Sequence, residues 1–148
     1  DLKRAVETAQ KIAEYHDCEL QTIDGIQEVN VGQWERLDWE SIRQRYPTEY
    51  DQYMEDSAVH GYLGGENYTQ VQARIMPVFR ELAVRHAGQT FAVIAHTVVN
   101  RTFLATLLGL ELRRGKDLPQ ENCCINVVSC HGEAMKLVTL NSALHMQS

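Results

Sequence analysis

The chain has little with which to staple itself. Its 148 residues hold four cysteines, Cys18, Cys123, Cys124 and Cys130, with no CxxC spacing, and two of them are adjacent inside an apolar stretch. That pattern excludes a disulfide framework. The thiols read as reduced core residues, against redox or metal roles, and favour a cytoplasmic setting. The six histidines form no HExxH or HxH cluster, so no metal site is indicated and no cofactor is assigned. Nowhere is there an apolar run near the roughly 20 residues of a membrane helix. Basic charge is in deficit, 14 Lys and Arg against 20 Asp and Glu for a net −6. This argues against nucleic acid or an anionic membrane as the main partner, because both are held by a basic surface field. A glycine-rich phosphate loop is also missing, which leaves little support for a nucleotide-binding regulatory domain.

What is present is ordinary globular material: 44% hydrophobic, 23% charged and 7% aromatic residues, in a length that predicts one domain over residues 1–148. Leu2, Ala5, Val6, Ala9, Ile12 and Ala13 recur at spacings of three and four and predict an amphipathic helix that Asp1 would cap. A short strand is expected at Glu19–Ile23, followed by a Gly-punctuated loop. Trp39–Tyr46 predicts a helix stopped by Pro47, and Thr48–Asn67 a long segment containing helical turns or serving as a lid. A helix is expected over Tyr68–His86 with Val71, Ile75, Val78, Phe79 and Leu82 on one face, kinked or started late at Pro77. Phe91–Ala95 then reads as a strand and Val98–Leu108 as a helix closed by Gly109. The tail predicts a hairpin, Cys124–Cys130 with Met135–Leu140, turning at His131, Gly132 and Glu133. Helix, strand, helix in succession suggests parallel pairing, with the hairpin as an antiparallel edge.

Candidate chemistry begins at His96, at the end of an expected buried strand and the start of a helix, where open α/β sheets build ligand sites. Its imidazole can serve as acid, base, nucleophile or phosphate ligand, or simply be a hydrogen-bonded strand-end side chain. Thr97 follows and offers a backbone N–H to an anion at the helix start. Glu28 lies between Ile26 and Val29 beside Gly32, where a partly desolvated carboxyl has a raised pKa and can donate a proton to a leaving group; otherwise it is a solvated loop glutamate. Glu35 is a weaker candidate of the same kind. Arg4, one turn into the first helix, is a phosphate clamp or a surface arginine. Arg101 reads as structural, and Trp34 and Trp39 as core residues rather than pocket lining.

Taken together, these segments resemble the histidine phosphatase superfamily, the phosphoglycerate mutase-like enzymes. DLKRAVETA is similar to its S-[DP]-L-x-R-A-x-x-T-A helix, IQEVNVGQWE to its L-x-E-x-x-F-G-x-W-E-G loop and GGENYTQVQAR to its P-G-G-E-S motif. VIAHTVVNRTFLATLLG resembles its V-S-H-G-x-x-I-R segment, and LVTLNSALHM its terminal L-N-x-x-x-H-L. The resemblance implies a three-layer α/β/α sandwich with a mostly parallel mixed sheet. It also implies hydrolysis of a small phosphorylated metabolite through a phosphohistidine, without metal. Carried over, Arg4 binds the transferring phosphoryl group, Glu28 is proton donor and then base for water, and His96 stabilises the transition state, with the Thr97 N–H in the phosphate cradle.

Departures are Thr97 where the family has glycine, Asn67 in place of serine, and Arg36 in place of the glycine after the Trp-Glu pair. The family's Arg-His-Gly signature, which carries the nucleophilic histidine on the first strand, occurs nowhere in the sequence. The expectation is therefore an N-terminally incomplete domain with unpaired sheet edges, open to association with a second copy. The short loop between Glu28 and the GGE motif favours a phosphatase, resembling α-ribazole phosphatase, over a mutase. The alternatives are mutase-type phosphoryl transfer or an inert phosphate-binding interaction module.

Overall fold

The structure, a computed structural model, describes residues 2–146. Helix α1 (Lys3–Ala13) forms over the predicted stripe, with Leu2 as its N-cap; Asp1, the expected cap, lies outside the described residues. Only Ala9 of that stripe is buried, and Leu2 and Ile12 stay 40% and 41% exposed. Helix α2 (Trp39–Arg45) is capped by Asp38, whose Oδ1 accepts the Ser41 N–H at 2.7 Å. It stops before Pro47 as predicted, and the same proline opens α3 (Pro47–Glu55), where its missing N–H is not needed. The long segment after Pro47 is thus helical in its first half.

Helix α4 (Tyr68–Arg85) starts on time and runs on through Pro77, leaving the Ala73 carbonyl without its helical donor on an exposed face. Asn67 makes a reciprocal capping box with Gln70: the Asn67 side chain accepts the Gln70 N–H at 2.8 Å, and Gln70 Oε1 accepts the Asn67 N–H at 2.9 Å. Asparagine in the family's serine position therefore keeps the cap. Helix α5 (Thr97–Leu107) follows, with Gly109 in the left-handed region at φ +65° just beyond its end. Strands β1 (Ile125–His131) and β2 (Ala134–Ser142) form the predicted antiparallel hairpin, pairing Val128 with Leu137 and Cys130 with Met135 around Gly132 at φ +61°.

The core is built on α5, which packs against α4 and β2. Val71 and Ile75 of α4 and Val99 and Leu104 of α5 are wholly or almost wholly buried, and the Phe79 and Phe103 rings stack at 4.0 Å. Each such side chain contributes about 1.5–3 kcal/mol on burial.

Residues 19–23 and 91–95 are not in a hydrogen-bonded ladder; among the described residues the sheet is β1 paired with β2 alone. A strand exists only where a neighbour takes its N–H and C=O groups, and no described segment does so here. The α/β composition stands, and the parallel pairing expected at these two segments is not among the ladders of the described residues. The cysteines are free but not in the core: Cys18 and Cys123 are exposed, Cys124 and Cys130 half-buried. Cys123 sits in a turn at φ +62° ahead of β1, and the hairpin has only one face on the core, so neither geometry fully covers a thiol.

Leu104→Ala, at a site 1% exposed, is expected to lower the unfolding free energy by about 2–5 kcal/mol. Val138→Ala on the open hairpin face, 61% exposed, should stay within about 0.5 kcal/mol. Urea unfolding followed by circular dichroism checks both.

Candidate active site

His96 is the N-cap of α5, in extended backbone at φ −129° and ψ 164°, with no capping bond from its side chain. It is buried, 8% exposed. The first helical hydrogen bond runs from Asn100 N–H to the His96 carbonyl at 2.8 Å. The amides at the start of the helix, Thr97 first, thus belong to the turn whose N–H groups have no intrahelical acceptor. Burial pushes the His96 pKa down from its usual 6.5; the Glu28 carboxylate pulls it up, and the Arg4 guanidinium presses it down again. The charges of Glu28 and Arg4 therefore both reach His96. Arg4 stands exposed on the first turn of α1 and Glu28 is half-buried.

Glu28 lies in a segment without helix or strand, so something other than a backbone ladder must place it. Its Oε1 accepts the N–H of Val29 at 2.9 Å. Just beyond, the chain meets the turn at 62–66 in a tight seam. Gln33 N–H donates to the Leu63 carbonyl at 2.8 Å and Glu66 N–H to the Asn30 carbonyl at 2.9 Å. A Cβ on Gly65 would lie 2.1 Å from the Asn30 oxygen, and one on Gly32, at φ +53°, 2.2 Å from the Leu63 oxygen. Glycine is required at both positions because two backbones touch there.

Under this seam, Glu66 receives Arg74 Nε at 2.7 Å and Nη2 at 3.0 Å, and the Asn30 N–H at 2.9 Å. Burial raises the Glu66 pKa, but the Arg74 and Asn30 hydrogen bonds outweigh it and hold the carboxyl below its usual 4.5. Sequence reasoning noticed the GGE motif and missed Arg74 as its partner. The available signal was an arginine two helical turns into the capped helix, on the same side as its start.

A second group was also missed. Tyr53, Tyr62 and Tyr68 are buried together, with Tyr53 and Tyr62 hydroxyls 3.1 Å apart. Desolvation pushes the Tyr62 pKa up to about 12, with the Glu28 charge contributing, and desolvation also raises Tyr53 and Tyr68. All three are neutral hydrogen-bonding groups, and Tyr62 and Tyr68 lie within range of the Glu28 charge. Trp34 packs edge-on against Tyr53 and Tyr62 in the core, whereas Trp39 is half exposed. Glu35 is exposed and lies outside this cluster. Arg101 donates from Nε to the Leu118 carbonyl at 2.9 Å, a structural task as read from the sequence. Arg36 keeps a left-handed backbone at φ +61°, the conformation for which glycine in that family position is suited.

A shallow groove of about 530 Å³ lies elsewhere, along α4 between Arg80, Arg85 and Glu133. It brings together none of the four candidate residues. Among the described residues, no three His, Cys, Asp or Glu side chains converge as a metal site would require, and no helix is long and apolar enough to cross a membrane.

The family described as histidine phosphatase superfamily (branch 1) matches residues 1–143. The chain belongs to this superfamily. Phosphoserine phosphatase 1 of Hydrogenobacter thermophilus is 29% identical over 145 residues, covering 98% of the chain and 69% of that protein. Bacillus stearothermophilus YhfR superposes with a TM-score of 0.89 at 22% identity, over 98% of this chain and 72% of that one. A mycobacterial glucosyl-3-phosphoglycerate phosphatase in complex with inorganic phosphate superposes with a TM-score of 0.81 at 26% identity, over 96% and 74%. The histidine phosphatase fold is thus present through most of its length, and the hairpin, α4 and α5 are its parts.

Because the fold favours neutral imidazole, His96 contributes stability above its usual pKa of 6.5 that is lost as pH falls through the lowered folded value. An NMR titration of His96 is expected to show a midpoint below 6.5. Glu28→Gln should move it further down and Arg4→Ala up; a midpoint that ignores both substitutions would place these groups out of range of His96.

Proposed function

We propose that this protein hydrolyses a small phosphomonoester, with Arg4, Glu28, His96 and the Thr97 N–H on one phosphoryl group. The observation that carries the reading is His96, buried as the N-cap of α5 beside the free Thr97 N–H, with the charges of Glu28 and Arg4 acting on its imidazole. The superfamily and the phosphatase names of its relatives support the chemistry.

Arg4 faces the non-bridging oxygens, with charge and a planar donor fork suited to them. The Thr97 amide adds a fixed donor at the positive end of the helix. Glu28, protonated, gives its proton to the bridging oxygen as the P–O bond breaks, so the alcohol leaves neutral. As a carboxylate it then takes a proton from the water that attacks the phosphoryl-enzyme, releasing inorganic phosphate and restoring the acid. His96 starts neutral because it is buried. A bound phosphate dianion reverses the local field, so the imidazole takes up a proton and stabilises the transferring group. The attacking histidine of the family's Arg-His-Gly is not among these 148 residues, and no residue here is assigned that step.

The finer architecture belongs to the same reading. Residues 1–143 match one family throughout, which supports a single histidine phosphatase domain over 1–148. Segments 19–23 and 91–95 are its parallel strands, in a three-layer α/β/α sandwich. Hydrogen exchange should show protected amides at 92–95 once these residues are joined to the family's Arg-His-Gly strand; fast exchange there would remove the parallel sheet.

In a protein that joins these residues to the family's Arg-His-Gly strand, Glu28→Gln is expected to lower kcat on an alkyl phosphomonoester by about 10²–10⁴, and His96→Ala by about 10²–10³. Added phosphate or vanadate should raise the His96 midpoint in the wild type. Turnover that survives both substitutions, or a midpoint indifferent to the anion, would overturn these roles.

A further inference from the structure

We propose that Arg74 and Glu66 are positioning residues for Glu28, a bridge that holds the proton-donor loop at the distance the reaction needs. The inference rests on the reading of Glu28 as the proton donor and adds to it the device that aims the carboxyl.

The loop that carries Glu28 has no helix or ladder of its own, yet it is tied on both sides of that residue. Before it, the Gly25 carbonyl accepts Arg74 Nη1 at 2.8 Å. After it, Asn30 exchanges two bonds with Glu66, giving its N–H to the side chain and receiving the Glu66 N–H on its carbonyl, each at 2.9 Å. Glu66 and Arg74 are joined through both carboxylate oxygens, and Arg74 Nη2 also reaches the Glu28 carbonyl at 3.4 Å. One guanidinium thus spans the loop's two anchor points. Gly25 is seated against α4 so closely, at φ +90°, that an added Cβ would meet Val78 at 2.9 Å. The bridge itself is shielded, with side chains 24% and 23% exposed, so water competes with it only weakly.

A general acid must lie within hydrogen-bond reach of the leaving oxygen, and a displacement of about 1 Å can cost about a hundredfold. Loosening the bridge therefore acts on proton donation while the Arg4 and His96 side of the pocket stays in place. A purely structural cross-link would have no such selectivity.

Leaving-group dependence separates the two. Departure of p-nitrophenolate needs little protonation, whereas departure of an alkoxide needs a proton. In the same protein, Arg74→Gln and Glu66→Gln are expected to lower kcat/KM, which reports the step in which the leaving group departs, at least about tenfold more on ethyl phosphate than on p-nitrophenyl phosphate. Arg74→Lys, which keeps the charge but cannot grip Glu66 and Gly25 together, should fall between wild type and Arg74→Gln. Equal losses on both esters, or no loss, would overturn the positioning role. If Arg74→Gln fails to fold by circular dichroism, the isosteric Glu66→Gln decides. Glu28→Gln is run alongside: if it lacks the same ester selectivity, the proton-donor reading itself is wrong, whereas selectivity in Glu28→Gln alone rejects only the bridge.

Discussion

The seam between residues 30–33 and 62–66 is the constraint on which the candidate site depends. Two backbone segments meet there so closely that a side chain at Gly32 or Gly65 would overlap the opposing carbonyl. The approach uses up the main-chain hydrogen bonds of a region that has no ladder, and it lets the Glu66 side chain reach back to Asn30 and across to Arg74. The loop carrying Glu28 is consequently ordered by contacts from far along the chain. Its lack of secondary structure does not make it loose.

The helices give this seam something rigid to stand on. Arg74 projects from α4, whose start is fixed by the Asn67–Gln70 capping box and whose inner face is locked to α5 by the Phe79–Phe103 stack. His96 caps α5 on the other side of that pair. One packed interface therefore sets both the residue that grips the Glu28 loop and the residue that faces Glu28 electrostatically. The neutral tyrosines 53, 62 and 68 are buried together, and the Tyr53 and Tyr62 hydroxyls satisfy one another where water is excluded. Arrangements of this kind make a polar site inside a small core affordable only when nearly every donor has a partner. The Trp34 Nε1 and Ser57 Oγ groups lack one among the described residues.

Much of the fold was legible because it is local. Apolar spacing marked α1, α4 and α5; Pro47 and Gly109 marked helix ends; Gly132 marked the hairpin turn. Arg4, Glu28 and His96 were legible one at a time, and only as ambiguous candidates. The resemblance of their surrounding motifs raised them together. Arg74 was missed, since its one signal, a place two turns into the capped helix, is shared by any solvated cation on an amphipathic helix. The cysteines misled for a similar reason. Their preference for burial is an average, and the hairpin and the turn at Cys123 leave these particular thiols open.

By itself the sequence determined the helices, their caps, the hairpin and its turn, because those depend on periods of about 3.6 and 2 residues and on the φ freedom of single residues. It also determined which side chains with suitable chemistry exist. The tertiary structure decided which of them meet: Glu66 with Arg74 under the Glu28 loop, and a buried His96 at a helix start within reach of the Glu28 and Arg4 charges. It decided as well that 19–23 and 91–95 have no ladder among the described residues. The physical reason is the same in each case. A helix satisfies its own backbone groups within a few residues, whereas a strand, an ion pair or a catalytic cluster is defined by partners that no local pattern names.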